Sequence, residues 1–167
     1  MSRGLDGRDG PQGLALLDKP PGMSSFAALG AVKRALGTGR VGHTGTLDPF
    51  ARGLMLALTG RLTRLAALLS GQDKCYMARV RFGEETDTLD PEGEVIAAAA
   101  APSRTALEAA LPAFVGEIEQ VPPAFSAVHH QGERAYRLAR RGERPQLRPR
   151  KVRVLALELL GFEPPVA

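Results

Sequence analysis

The residues best suited to chemistry lie in a glycine-rich stretch from Gly42 to Gly53, which contains His43 and Asp48. An aspartate side chain is ionised near neutral pH and can act as a nucleophile without a separate base. A histidine can donate hydrogen bonds or exchange protons in the same pH range. Each residue also has an ordinary structural interpretation. Asp48 precedes Pro49 as a helix N-cap often does, and a loop histidine commonly bonds only to its own neighbours.

Tyr76 is a third candidate, at the start of a segment of alternating residue types that runs to Phe82. This period of two predicts a half-buried strand. On that pattern alone Tyr76 is a core residue that shares one face with Val80 and Phe82. The residue types therefore leave a structural and a chemical interpretation open at each of the three positions.

Other kinds of site are excluded by spacing or context. The stretch Gly37 to Gly42 matches a dinucleotide-binding fingerprint, but it follows a helical pattern, and Leu56 to Gly60 lacks the required acidic residue. A phosphate-binding loop and a G-x-S-x-G nucleophile elbow are both absent from the sequence. The three histidines and Cys75 lack the paired spacings of a zinc site. The residues therefore indicate neither a dinucleotide site nor a zinc site.

The composition is that of an ordinary globular protein. The chain has 167 residues, of which 44% are hydrophobic and 24% charged. It contains one cysteine and no run approaching the ~20 apolar residues of a membrane span. Because its first residues lack the apolar run of a secretory signal, we expect no secretory leader. We expect a monomeric cytoplasmic protein with no membrane partner, in which residues 1–12 form a disordered tail and residues 13–167 form one domain.

Positive charge is concentrated between His129 and Arg153. This arginine-rich segment holds nine basic residues against Glu133 and Glu143, whereas the rest of the chain holds 13 basic and 16 acidic residues. Such a local block is typical of binding to a nucleic-acid backbone. A solvated surface rich in arginine is the structural alternative.

The elements that must position these residues mix helices and strands without regular alternation. Ser24 or Ser25 can cap a first helix that ends at Gly37, and Ser103 caps a later one. We expect a further helix from Pro49, with Asp48 as its N-cap. The remaining predicted elements are a helix over 62–69 and strands over 13–17, 76–82, 125–128 and 152–162. This order favours an α+β fold.

Together, these residues resemble the TruB family of tRNA pseudouridine-55 synthases. The resemblance rests on ordered motifs over almost the whole chain after the tail: Leu16 to Ser25, Gly42 to Gly53, Asp73 to Tyr76, Thr86 to Gly93, Gln120 to Val128 and Gly132 to Arg140. It implies a largely antiparallel mixed sheet flanked by helices. It also implies conversion of a uridine in the tRNA T-loop to pseudouridine, without metal or cofactor.

The resemblance assigns a role to each candidate residue. Asp48 is the catalytic nucleophile, His43 helps to hold the flipped-out RNA, and Tyr76 stacks on the extruded uracil. The arginine-rich segment then binds the phosphates of the T-stem-loop. On this hypothesis, neutralising Arg140 and Arg141 flattens the salt dependence of RNA binding.

The chain departs from the family pattern at its C-terminal side. The family continues into a strand whose serine-glycine-threonine-tyrosine-isoleucine-arginine motif supplies an arginine to the catalytic carboxylate, and it usually adds a small RNA-binding domain. The printed sequence contains neither. We expect weak or absent activity if these residues are the entire polypeptide, and normal chemistry if they belong to a longer one. An inactive module that binds the tRNA elbow is the alternative, and a guide-dependent enzyme acting on ribosomal RNA is a third.

Overall fold

The protein is described by a computed structural model that covers residues 10–126, 128–143 and 145–167. The first nine residues of the predicted tail lie outside the described residues. The described chain divides into two compact units, one ending at Tyr76 and the other running from Met77 to Ala167. Within the described ranges, no helix is long and apolar enough to cross a membrane.

The first unit is a three-stranded antiparallel sheet with one long helix. Its elements are β1 (Gly13–Lys19), α1 (Ser25–Leu36), β2 (Val41–His43), β3 (Gly53–Thr59), a 3₁₀ helix (Gly60–Leu65) and α2 (Ala66–Ser70). The strand order is β1-β3-β2, so β3 is the central strand. It pairs along its whole length with β1, from Gly53 opposite Lys19 to Thr59 opposite Gly13.

Helix α1 begins and ends at the predicted positions. Ser24 is the N-cap, and its side chain accepts a hydrogen bond from the backbone N–H of Ala27 at 3.2 Å. Gly37 ends the helix in the left-handed conformation, with φ of 58°. Glycine adopts this conformation without the steric cost that a Cβ would impose.

The core of the first unit lies between α1 and one face of the sheet. Leu29 and Val32 of α1 pack with Ala57 of β3. Because side chains alternate along a strand, the opposite face carries Leu16 and Leu54, and both are exposed. The alternation therefore fixes which side of β1 and β3 receives the helix.

The second unit consists of short antiparallel pairs and two short helices. Its elements are β4 (Glu84–Thr86), β5 (Val95–Ala98), α3 (Arg104–Ala110), a 3₁₀ helix (Leu111–Phe114), β6 (Gly116–Gln120), β7 (His129–His130), β8 (Glu133–Arg134), α4 (Ala135–Arg140) and β9 (Arg150–Val154). The pairs are β4 with β5, β6 with β9, and β7 with β8. Ser103 caps α3, as predicted.

The predicted α+β class is confirmed, since helices accompany sheets whose described pairings are all antiparallel. The described strands are distributed over four small sheets. The prediction of a single domain over residues 13–167 stays a prediction.

Four predicted elements differ from the structure. The helix expected from Pro49 is wrong, because Gly53–Thr59 pairs on both sides as the central strand. The strand expected over 76–82 forms only an isolated bridge at Arg81, and the one expected over 125–128 is absent from its described residues. The strand expected over 152–162 is regular only as far as Val154, within β9. Alternation describes a surface that suits a strand, but a strand also needs a partner along its length.

Candidate active site

Asp48 lies in the turn that connects β2 to the central strand β3. Its side chain is exposed, and its backbone carbonyl accepts a hydrogen bond from the N–H of Ala51 at 3.1 Å. Across residues 10–126, 128–143 and 145–167, no hydrogen bond or ion pair engages the Asp48 carboxylate. The carboxylate is therefore open to a ligand.

The residue before Asp48 is held by a serine on the first turn of α1. The Ser25 hydroxyl donates a hydrogen bond to the carbonyl of Leu47 and accepts one from the N–H of Leu47, both at 2.9 Å. Ser25 is 3% exposed. This two-way bond fixes both peptide groups of Leu47 against the helix.

The residue after Asp48 is held by a buried lysine at the end of β1. The Lys19 ammonium donates hydrogen bonds to three backbone carbonyls, at 3.0, 2.8 and 3.2 Å respectively: those of Pro20, Met23 and Pro49. Lys19 is 0% exposed. The carbonyl of Pro49 also accepts the N–H of Gly22 at 2.8 Å. The backbone on both sides of Asp48 is therefore anchored, while its carboxylate stays exposed.

His43 is the last residue of β2 and lies opposite Ala57 in the sheet. Its Nδ1 atom is buried and has no hydrogen-bond partner in the described part of the chain. The next residue, Thr44, also contacts β3, because its N–H donates a hydrogen bond to the carbonyl of Leu56 at 3.1 Å. His43 and Asp48 thus belong to one segment, with His43 on the sheet and Asp48 in the turn.

Tyr76 is the last residue of the same unit and lies on a separate segment, in which residues 71–76 are all exposed. Its side chain is 68% exposed, so the structure does not make it a core residue. Lys74, two residues earlier, approaches the glycine-rich turn, since its Cε would lie 4.0 Å from a Cβ placed on Gly45. The tyrosine ring is therefore free to contact a ligand.

Arg52, four residues after Asp48, is engaged by another carboxylate. Its guanidinium donates two hydrogen bonds to Asp18, over 2.8 Å from Nη2 and 3.4 Å from Nε. The hydrogen bond from Arg52 lowers the pKa of the Asp18 carboxyl below its ordinary value and raises the pKa of Arg52. Both side chains are largely exposed. The pair ties the start of β3 to β1.

In the arginine-rich segment of the second unit, the arginines differ in how they are engaged. Arg141 forms a bidentate pair with Glu133 over 2.7 and 3.0 Å and a further bond to Glu143 at 2.9 Å. The hydrogen bonds from Arg141 lower the pKa of Glu133. Arg140 instead lies over the ring of Tyr136, 5.6 Å from its centroid. Of the two arginines expected to bind phosphate, Arg140 is the more available, because the guanidinium of Arg141 already binds two carboxylates.

In the described residues, no three histidine, cysteine, aspartate or glutamate side chains come together as a metal site would require. The described site is thus an exposed carboxylate on an anchored turn, with a buried histidine nitrogen on the strand before it. A carboxylate held in this way can form a transient bond with an electrophilic ligand.

Comparison with known sequences decides the family. The family described as TruB family pseudouridylate synthase (N terminal domain) matches residues 33–167. This chain belongs to that family. It is 50% identical over 144 residues to the tRNA pseudouridine synthase B of Treponema denticola, covering 86% of this chain and 40% of that protein. It is 50% identical over 152 residues to the enzyme of the same name from Thermus thermophilus, covering 90% of this chain and 49% of that protein.

The TruB-family chain thus spans half or less of the length of these two relatives. Among solved structures, it is similar to one described as a crystal structure of a Cbf5-Nop10-Gar1 complex, with a TM-score of 0.57 and 24% identity. The match covers 92% of this chain and 36% of that one. At this identity the likeness shows a shared fold.

The residue pattern of the TruB-family chain does not show what holds the Asp48 turn. On its sequence, Ser25 is an alternative to Ser24 as the helix cap, and Lys19 is one residue of the motif Leu16 to Ser25. The structure assigns the cap to Ser24 and brings Ser25 to the turn. The motif Leu16 to Ser25 contains both anchoring residues, but nothing local indicates that their partners lie 22 and 30 positions away.

Proposed function

We propose that residues 13–167 contain the nucleophile and the base-stacking residue of an enzyme that isomerises uridine 55 in the T-loop of tRNA to pseudouridine. Asp48 is the nucleophile. Membership of the TruB family supports the reaction, as do relatives named tRNA pseudouridine synthase B. The observation that carries the role of Asp48 is its exposed carboxylate on a backbone anchored at Leu47 and Pro49.

The reaction moves one bond and needs no co-substrate. The bond between N1 of uracil and C1′ of ribose breaks, and a bond between C5 and C1′ forms. C5 loses its proton to solvent, and N1 gains one. The Asp48 carboxylate forms a transient bond with the nucleotide and is released when the new bond is complete. Because no oxidation takes place, the reaction requires no redox cofactor.

The target base must leave its stack before Asp48 can approach it. Base flipping exposes the uracil, and an aromatic platform recovers part of the lost stacking, about 1–3 kcal/mol per base. The 68% exposure of Tyr76 suits this role. His43, whose buried Nδ1 lacks a partner in the described residues, supports the RNA in its flipped-out form.

The arginine-rich segment supplies affinity for the RNA backbone. Nine basic residues against two acidic ones give the segment a strong positive charge. Phosphate contacts of this kind read the shape of a folded stem-loop rather than its duplex sequence. We propose that the enzyme acts in the cytoplasm, since a single cysteine is in keeping with a reducing compartment.

Release of label from C5 tests this proposal. A T-stem-loop transcript labelled at uracil C5 is incubated with excess 167-residue chain, so that even a weak single turnover is detected, and RNA binding is measured in parallel. We expect label in the water and pseudouridine at position 55. Tight binding without any release would contradict the enzymatic proposal and favour a module that only binds the tRNA elbow.

A further inference from the structure

We infer that Ser25 is a positioning residue for the reaction of Asp48. This inference rests on the proposed function, because it concerns the rate at which Asp48 attacks the nucleotide. Ser25 acts through the backbone of Leu47, and its side chain has no described contact with the Asp48 carboxylate. Its hydroxyl holds the peptide group that leads directly into Asp48.

The geometry of this contact is specific to the turn. A serine hydroxyl has one donor and two acceptor positions, and Ser25 uses it to donate to and accept from the same residue at 2.9 Å each. Both peptide groups of Leu47 are therefore held by one oxygen atom. The peptide group between Leu47 and Asp48 cannot rotate without losing a hydrogen bond.

Ser25 is not needed to begin the helix. The N-cap is Ser24, whose side chain accepts the N–H of Ala27 at 3.2 Å. Ser25 is the first residue of α1, and the helix is packed against the sheet through Leu29 and Val32. The hydroxyl therefore connects the Asp48 turn to a fixed element and leaves the helix terminus to its neighbour.

The anchors on the two sides of Asp48 are independent of each other. Lys19 holds Pro49 from the end of β1, whereas Ser25 holds Leu47 from α1. Loss of the Ser25 hydroxyl frees the turn on one side only, so the loop stays attached. A displacement of about 1 Å at a reacting group can lower a rate by as much as ~100-fold. Ser25 therefore determines the position of Asp48 within the turn, but the turn itself forms without the Ser25 hydroxyl.

Three variants of the 167-residue chain distinguish an effect on the position of Asp48 from an effect on folding. Ser25→Ala removes the hydroxyl, and Ser25→Cys keeps the size of the side chain while offering only a weak donor and acceptor. Ser24→Ala is the matched control, because it removes the neighbouring hydroxyl and its N-cap bond. We measure amide hydrogen exchange at Leu47, thermal unfolding, and kcat and KM for the T-stem-loop.

In Ser25→Ala and Ser25→Cys we expect faster exchange at Leu47 and a kcat reduced about tenfold to a hundredfold, with KM within about twofold. In Ser24→Ala we expect a melting temperature lower by about 2–4 °C, with unchanged exchange at Leu47 and unchanged kcat. A role confined to stability would lower the melting temperature of the Ser25 variants and leave kcat unchanged.

The positioning role is overturned if the Ser25 variants turn over as fast as the wild-type chain, whether or not Leu47 exchanges faster. It is also overturned if Ser24→Ala lowers kcat as much as Ser25→Ala. A wild-type chain that forms no pseudouridine contradicts the proposed function itself, and the role of Ser25 in that reaction falls with it. Faster exchange at Leu47 would then show only that the hydroxyl holds the turn.

Discussion

The ammonium group of Lys19 is buried, and it has no carboxylate partner in the described part of the chain. Its hydrogen bonds go to three backbone carbonyls instead. An ammonium group has three donors, and each finds an acceptor. Two of the acceptors belong to the turn after β1, and the third belongs to Pro49. At the scale of single residues, Lys19 thus joins the end of a strand to the turn that presents Asp48.

Replacing Lys19 with methionine tests this arrangement. Lys19→Met keeps most of the side-chain volume but removes the ammonium donor from three carbonyls, of which that of Pro49 keeps the N–H of Gly22. Each carbonyl that stays buried and unpaired costs about 1–3 kcal/mol. We expect the free energy of unfolding to fall by about 3 kcal/mol in urea denaturation. Lys74→Met is the matched control, because Lys74 also donates to two backbone carbonyls but is exposed.

In the control, water replaces the lost donor, so we expect a change in unfolding free energy of less than about 0.5 kcal/mol. An equal loss of stability in both variants would show that burial of Lys19 has no special role in holding the turn.

The sequence indicates candidate residues for the chemistry, but it does not indicate the residues that hold them in place. Asp48 was identified from its motif, and the structure places it in an exposed turn. Ser25 could not be assigned, because Ser24 and Ser25 are equally good N-caps on local grounds. Only the folded chain shows that Ser25 faces Leu47, 22 positions away.

At the scale of elements, the end of α1 determines where the chain turns toward β2. Gly37 has φ of 58°, and Thr38 donates its N–H back to the carbonyl of Lys33 at 3.2 Å. This is the closing pattern of many helices. The chain then reaches β2, which ends at His43.

Alanine substitution at Gly37 tests this helix end. Open space surrounds the position of a new Cβ at Gly37, so the cost of Gly37→Ala is that of the left-handed backbone alone, about 1 kcal/mol. Gly39→Ala is the matched control, since Gly39 also has open space but is not left-handed. We expect thermal unfolding to show a loss of stability in the first variant and none in the second. Equal melting temperatures would contradict the role of Gly37.

The elements that sequence predicted well are those set by local interactions. The first helix was predicted to begin with a cap at Ser24 or Ser25 and to end at Gly37, and the later helix to begin with a cap at Ser103. The structure has caps at Ser24 and Ser103 and the helix end at Gly37, all of which depend on neighbouring residues. The helix predicted from Pro49 failed because Gly53–Thr59 gains more from pairing with two strands than from the local helix signal. The spacing of residues along the sequence does not show which strands pair in the folded chain.

At the scale of the whole molecule, charge is the property most directly linked to RNA. The arginine-rich segment has a strong positive charge, whereas the rest of the chain is slightly acidic. Its arginines are not equivalent, because Arg141 is engaged by two carboxylates while Arg140 lies on the ring of Tyr136. A guanidinium that already binds carboxylates must give them up before it binds phosphate.

The salt dependence of T-stem-loop affinity distinguishes these arginines. For Arg140→Ala we expect the slope of log K against log salt to become shallower by about 0.7–0.9, the value of one phosphate contact. For Arg141→Ala, the matched control, we expect an unchanged slope. A shallower slope in the Arg141 variant alone would show that the carboxylate pairs open when RNA binds.

The role of Asp48 in the proposed reaction is tested most directly by comparing two aspartates of the first unit. Asp48→Asn and Asp18→Asn each remove one exposed carboxylate, and Asp18 already pairs with Arg52. Both variants are assayed for release of label from uracil C5 of the T-stem-loop under single-turnover conditions. We expect no release by Asp48→Asn and release by Asp18→Asn at a rate near that of the wild-type chain. Release by Asp48→Asn at the wild-type rate would contradict the account.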